Sequence, residues 1–209
     1  MTSLDKKVLL KAQQFLSRGD PVMKALIEKS APFALKPDSK QTPFEALTRA
    51  IASQQLHGAA ADAILGRFIK LVPDCTFPEP DDIDRLTDDQ IRSAGFSRGK
   101  IQTLRDLTAK VHQGVVPSAE EIKALDDEDI VARITQVRGI GRWTVEMLLI
   151  FNLGRLDVLP VDDFGVRKGF MKAFGLETMP KAKAIQSHGE QWRPYRTVAS
   201  WYLWRAAYN

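Results

Sequence analysis

A chain of 209 residues, 44% of them apolar and 27% charged, has the material for a sizeable core and a polar surface, which excludes a wholly disordered protein. Its single cysteine, Cys75, excludes an intrachain disulfide, a Cys-rich zinc site and a four-cysteine iron–sulfur cluster, and it fits a reducing cytoplasm. The N-terminal stretch is too charged for a signal peptide, and no window approaches the ~20 consecutive apolar residues of a membrane helix, so no membrane association is expected.

In chain order, helix punctuation dominates. Helices are expected at roughly 4–17, 21–30, 43–56, 58–72, 88–94, 99–113, 119–125, 127–136, 142–153 and 163–174, with two more near 181–191 and 195–207. Thr42-Pro43-Phe44-Glu45, Thr87-x-x-Gln90 and Ser118-x-x-Glu121 read as capping boxes, the first with proline at the first helical position. Apolar residues recur at helical spacing in Leu104, Leu107 and Val111 and in Ile130, Ile134 and Val137, while alternating runs are nearly absent. The expectation is an all-α protein without solenoid repeats or a low-complexity linker.

The net charge is only +4, but the charges are segregated. Gly165 to Asn209 holds eight Lys/Arg against two acids, whereas Asp74 to Gln90 holds seven acids and one Arg, and Glu120 to Ile130 six acids and one Lys. Such asymmetry suits one face for a polyanion and another kept clear of it, and solvated helix faces would give the same pattern. His57, His112 and His188 show no ligand spacing with one another or with Cys75, which points away from a catalytic metal.

The stretch from Asp127 to Lys168 is the most informative. A short helix ending at Val137 is followed by a tight turn, Arg138-Gly139-Ile140-Gly141, and by a second helix from Arg142 or Trp143. The two glycines permit unusual backbone angles and close approach of another backbone, and Ile140 can plug the core beneath. The turn presents amides at a helix N-terminus, where the dipole favours an anion, with the Thr144 hydroxyl in the first turn. Taken alone, the turn reads equally well as structure and as a phosphate site that holds nucleic acid without reading sequence.

Gly139-Ile140-Gly141-Arg142-Trp143-Thr144, with Leu159-Pro160-Val161-Asp162-Asp163-Phe164-Gly165-Val166-Arg167 some twenty residues later, resembles the hairpin and Gly/Pro/Asp signature of the helix-hairpin-helix DNA glycosylase superfamily. Ala50 to Leu56 resembles the glutamine-bearing helix of its DNA-3-methyladenine glycosylase II branch, and Gln191-Trp192-Arg193-Pro194-Tyr195-Arg196 its aromatic C-terminal segment. The four ordered motifs span roughly residues 40 to 207. The resemblance implies a two-lobed all-α fold with the active site in a cleft between lobes. Within one compact 1–209 unit it implies a central lobe 57–152 carrying the hairpin 137–144, and a second lobe of 1–56 plus 153–209.

The implied activity is monofunctional hydrolysis of the N-glycosidic bond of alkylated purines, 3-methyladenine and 7-methylguanine, by base flipping in base excision repair. The partner would be double-stranded DNA with damaged bases, the protein a cytoplasmic, nucleoid-associated monomer without a cofactor. Charge developing on the sugar calls for a fixed carboxylate, and the resemblance assigns Asp163 to it. Read alone, an acid at a loop-to-helix junction is more often a cap, and that role or support falls to Asp162.

A purine already cationic leaves without a general acid and is attracted to electron-rich rings. Trp143, Phe164, Trp192 and Tyr195 are the pocket candidates, with Trp143 and Tyr195 foremost, and Met147 stands where the resembled branch can carry an aromatic; Trp201 and Trp204 read as ordinary core. The resemblance places Gln55 at the family's wedge position, where a side chain fills the vacancy left by an extruded base, with Gln54 and Leu56 beside it. Gly139, Gly141, Thr144, Arg138 and Arg142 are the expected phosphate contacts, and the resemblance implies a monovalent cation held by the carbonyls of Thr135, Val137 and Gly139.

Trp143 stands where lyase-competent members carry a Schiff-base lysine, so no lyase activity is expected. A C-terminal four-cysteine cluster is missing, and the region before the first motif is too short for an additional N-terminal β domain. Two rivals remain at this level: a silent helix-hairpin-helix damage sensor, and a glycosylase for neutral oxidised or deaminated bases.

Overall fold

In the computed structural model, residues 6–56 and 58–208 are described, so the expectations for residues 4 and 5 and for His57 lie outside the described residues. The helices are α1 (Lys6–Gly19), α2 (Pro21–Lys29), α3 (Pro43–Ser53), α4 (Gly58–Ile69), α5 (Pro80–Arg85), α6 (Asp88–Ser93) and α7 (Arg98–His112). They continue with α8 (Glu121–Ala124), α9 (Asp127–Ile134), α10 (Arg142–Phe151), α11 (Phe164–Ala173), α12 (Ala182–Gly189), a 3₁₀ turn (Glu190–Trp192) and α13 (Arg196–Tyr208). Among the described residues there is no strand, as the absence of alternating patterns implies, and no helix is long and apolar enough to cross a membrane.

The capping signals act as written, with one exception. Thr87 and Gln90 exchange both bonds of a capping box at the start of α6, and Ser118 and Glu121 do the same before α8. Thr42 caps α3 by accepting from the Glu45 amide, but the Glu45 carboxylate turns outward to Arg49 at 2.8 Å instead of reaching back. α5 is an element the sequence reading lacked. Its run of acids hid a start signal, Glu79 with Pro80 at the first helical position and Asp82 closing the box on the Glu79 amide.

The chain forms two compact units, one joining the chain up to Ser39 to Leu149 onward, the other Lys40–Leu148. The central segment with the hairpin and the unit joining both ends follow the expected plan, with the boundaries at 39/40 and 148/149 in place of the expected 56/57 and 152/153. α3 belongs with α4 and α7, against which it packs, and its Leu47, Ile51 and Ala52 are fully buried. α7 is the spine of this unit: Ile101, Leu104 and Leu107 are buried, and Arg105 donates to the carbonyls of Ile83 and Leu86, gathering the end of α5.

In the other unit, α13 is wrapped by α11, α2 and α1, burying Val198, Ala199, Tyr202 and Leu203. The approach of α11 to α13 is set by Gly169, where a Cβ would run into the Leu203 carbonyl oxygen. Asp20, 3% exposed, ties three elements together. It caps α2 through the Val22 and Met23 amides and accepts from the Trp192 indole at 2.9 Å and from His188 Nε2 at 3.0 Å. Burial raises its pKa, but the hydrogen bonds from His188, Trp192, Met23 and Val22 outweigh this and leave it below the ordinary 3.8.

Replacing Asp20 by Ala removes a helix cap and orphans a buried indole N–H, so a loss of about 3 kcal/mol is expected in urea denaturation. A carboxylate whose folded pKa is lowered stabilises above its unfolded value and ceases to do so as pH falls through the folded one. The gap between wild type and Asp20→Ala should be full at neutral pH and narrow below about 3.8; a gap constant from pH 7 to pH 2 would refute the charged role.

Candidate active site and hairpin

α9 and α10 form the hairpin predicted around Gly139. The turn is closed by the Val137 amide to Ile134 and the Ile140 amide to Val137, with Val137 and Ile140 buried as plugs. Gly139 sits at φ +79, and a Cβ there would lie 2.6 Å from Thr103 Oγ1 on α7. Gly141 plays a different part, since a Cβ there meets nothing within 4 Å. The first glycine serves the turn; the second keeps an open face bare.

Three residues of α7 at three-residue spacing hold the neighbourhood. Lys100 Nζ donates to the Ala52 carbonyl in the last turn of α3 at 2.8 Å, Thr103 lies under Gly139, and Asp106 accepts from the Arg138 amide at 2.7 Å. Partial burial lowers the Lys100 pKa. Sequence gave no sign of this support, because the three are distant in the chain from what they hold.

α3 ends at Ser53, three residues earlier than expected, because Gln55 takes a left-handed backbone at φ +57. Gln54 turns inward, its amide donating to the Gly139 carbonyl at 3.2 Å, while Gln55 and Leu56 are exposed. The end of α3 (Ala50 and Ser53 to Leu56) and the hairpin (Gly139, Trp143, Thr144, Met147) enclose a cavity of about 720 Å³. Trp143, 47% exposed, and Met147 line it. Thr144, expected to offer its hydroxyl to phosphate, is only 8% exposed. Arg138 is exposed, but Arg142 commits its guanidinium to Glu128 and to Glu146 at 3.1 Å, bracing α9 on α10. Hydrogen bonding to Glu128 raises the Arg142 pKa. Of the three carbonyls suggested for a cation, Val137 accepts from Ile140 and Gly139 from Gln54; each oxygen has a second lone pair, so the set remains chemically able to ligate one.

In the other unit, Asp163 is the N-cap of α11. Its Oδ1 accepts from the Val166 amide at 2.8 Å and from the Trp204 indole Nε1 at 2.7 Å. The capping assigned to Asp162 therefore falls to Asp163, and Asp162 is exposed beside it. Phe164 is 63% exposed at the start of α11. Trp192 is corrected from pocket to core: it is 1% exposed with its N–H on Asp20. Tyr195 is half-buried, edge-on to Phe15 at 5.6 Å. Trp204, read as core, is the residue sequence reasoning missed; the missed signal was Gly165-x-x-x-Gly169, a spacing that marks a close helix crossing.

The C-terminal charge is also reshaped by folding. Arg193 and Arg196 are both tied to Asp157 at 2.7 Å and to Glu190, while Lys172, Lys181, Lys183 and Arg205 of the same segment are exposed. His112, unmatched by spacing, meets Asp84 at 2.9 Å and Asp81 at 3.8 Å on the exposed side of α5 and α7.

Residues 48–194 match the family model described as the HhH-GPD superfamily of base excision DNA repair proteins. DNA-3-methyladenine glycosylase 1 of Schizosaccharomyces pombe is 40% identical over 202 residues, 95% of this chain and 88% of that relative. The solved structure of 3-methyladenine DNA glycosylase from the same yeast in complex with abasic DNA superposes with a TM-score of 0.82, covering 93% of this chain and 95% of that one. A DNA-3-methyladenine glycosidase of Bacillus halodurans, 34% identical, also gives 0.82, covering 94% and 88%.

The contrast between the glycines is measurable without substrate. Gly139→Ala should cost about 2 kcal/mol or more in denaturant unfolding, from a left-handed backbone and the clash with Thr103. Gly141→Ala should fall within about 0.5 kcal/mol of wild type, and equal losses would overturn the division of labour.

Proposed function

The chain belongs to the HhH-GPD superfamily of base excision DNA repair proteins, and we propose that it is a monofunctional DNA glycosylase releasing alkylated purines, 3-methyladenine and 7-methylguanine, from double-stranded DNA. The observation that carries this reading is Asp163, a carboxylate held by two N–H donors on the Pro/Asp segment of the signature. The names of the relatives support the substrate class.

The chemistry follows from the residues. The C1′–N bond breaks with both electrons going to the base, which for an N-alkylated purine neutralises its positive charge, so no general acid is required. The sugar is left electron-poor; the Asp163 carboxylate stabilises that charge and orients the water whose oxygen adds to C1′ and whose proton passes to the carboxylate and then to solvent. The product is a free base and an abasic site. Trp143 carries no nucleophilic amine at the hairpin position, so no Schiff base forms and the strand stays intact. No cofactor takes part, and the protein acts as a monomer on DNA in the cytoplasm.

The bare turn at Gly141 and the start of α10 serve as a phosphate clamp, with a monovalent cation on the hairpin carbonyls as an auxiliary contact. Gln55 and Leu56, exposed at a backbone kink, form the tip that occupies the vacancy when the nucleotide is extruded, and Gln54 anchors that tip to the hairpin. Trp143 and Met147 offer the cavity its electron-rich and polarisable lining.

Wild-type protein should release methylated purines from duplex DNA without added metal or nucleotide, leaving strands that break only on alkaline treatment. Asp163→Asn should slow release about 100-fold or more while still binding DNA. Release of neutral lesions alone would favour an oxidised-base enzyme, and no release of any base a damage sensor. Gly141→Ala, folded as wild type, should weaken binding to all duplex sequences, and wild-type affinity should fall steeply with salt. Gln55→Ala should slow excision more in a fully paired duplex than at a mismatched site, where opening costs less; equal slowing removes Gln55 from the tip's role.

A further inference from the structure

An N-cap aspartate needs one donor, and Asp163 has it in the Val166 amide. The Trp204 indole N–H on the same oxygen is redundant for capping. The surrounding architecture makes room for it. α11 carries glycine at positions 165 and 169, four apart and so on one face, and α13 lies against that face. A Cβ at Gly165 would stand 2.7 Å from Trp204 Cδ1 and 3.1 Å from Asp163 Oδ1, and one at Gly169 would collide with the Leu203 carbonyl just before Trp204. Phe151 stacks on the indole at 5.7 Å and 26°, fixing the ring plane.

We propose, resting on the glycosylase reading, that Trp204 is a positioning residue: its indole N–H locks the Asp163 carboxylate in the orientation that stabilises the sugar cation. The indole adds a second N–H on Oδ1 to the cap bond, and the two together restrict rotation of the carboxyl group more than the cap bond does. The chemical type of the donor matters. Indole is a neutral donor with no acceptor atom on its nitrogen, so it orients the carboxylate without supplying an opposing charge. A lysine or arginine at that distance would pair with the negative charge that the reaction uses.

The test is a double-mutant cycle with Trp204→Phe, which keeps a ring against Phe151 and removes the N–H. Single-turnover release of methylated purine should fall about tenfold, with affinity for abasic duplex DNA within twofold of wild type. In an Asp163→Asn background the same substitution should change the residual rate by less than twofold, because its route to the chemistry is gone. A wild-type rate in Trp204→Phe, or an equal loss in both backgrounds, overturns the proposal. The indole ¹H–¹⁵N resonance of Trp204 gives a readout independent of activity and of any folding defect in Trp204→Phe. It should be protected from exchange in wild type and shift in Asp163→Asn, and exchange at the rate of a free indole would overturn the contact. Absence of base release by wild-type protein would instead bring down the glycosylase reading, a result distinguishable from failure of the Trp204 contact.

Discussion

The close crossing of α11 and α13 is the constraint on which the carboxylate depends. With no side chain at Gly165 and Gly169, the Leu203 carbonyl and the Trp204 ring come against the α11 backbone itself. That approach sets where α11 begins relative to α13 and hence where its N-cap, Asp163, is held. Packed interiors transmit volume changes instead of absorbing them, so a methyl group at either glycine is felt at the carboxylate. Capping and the proposed catalytic role of Asp163 are compatible: the bond that caps the helix also begins to orient the carboxylate.

The Lys40–Leu148 unit solves a different problem, that of holding a bare turn rigid. A loop proposed to offer its backbone to an anion has to stay exposed, and an unsupported one would cost ordering entropy on binding. Here α7 supplies the support from below through Lys100, Thr103 and Asp106, and Arg142 braces α9 to α10 through Glu128 and Glu146. The Gln54 amide joins the end of α3 to the Gly139 carbonyl. The exposed tip at Gln55 and Leu56 thus stands on the same framework as the turn.

Charge follows the same rule that partners are decided in three dimensions. The basic C-terminal segment looked uniformly available, yet Arg193 and Arg196 close on Asp157, an acid outside that segment. The acidic stretch at 74–90 looked like a solvated face and contains a capped helix, α5.

The sequence by itself determined the helical class, most helix boundaries, the hairpin with its two glycines and the Pro/Asp segment, because these rest on local physics: caps, period, turn angles and an ordered motif. It placed Asp163 and Trp143 in the right local settings. It did not determine which acid caps α11, that Trp192 belongs to the core, that Arg142 is already paired, that α3 belongs with α4 and α7, or that Trp204 reaches Asp163. Each of those is a contact between residues far apart in the chain, as Trp204 and Asp163 are at a separation of 41 positions. Such contacts exist only once packing has chosen which helix faces meet, a choice made by burial and close approach over the whole unit and not by any local pattern.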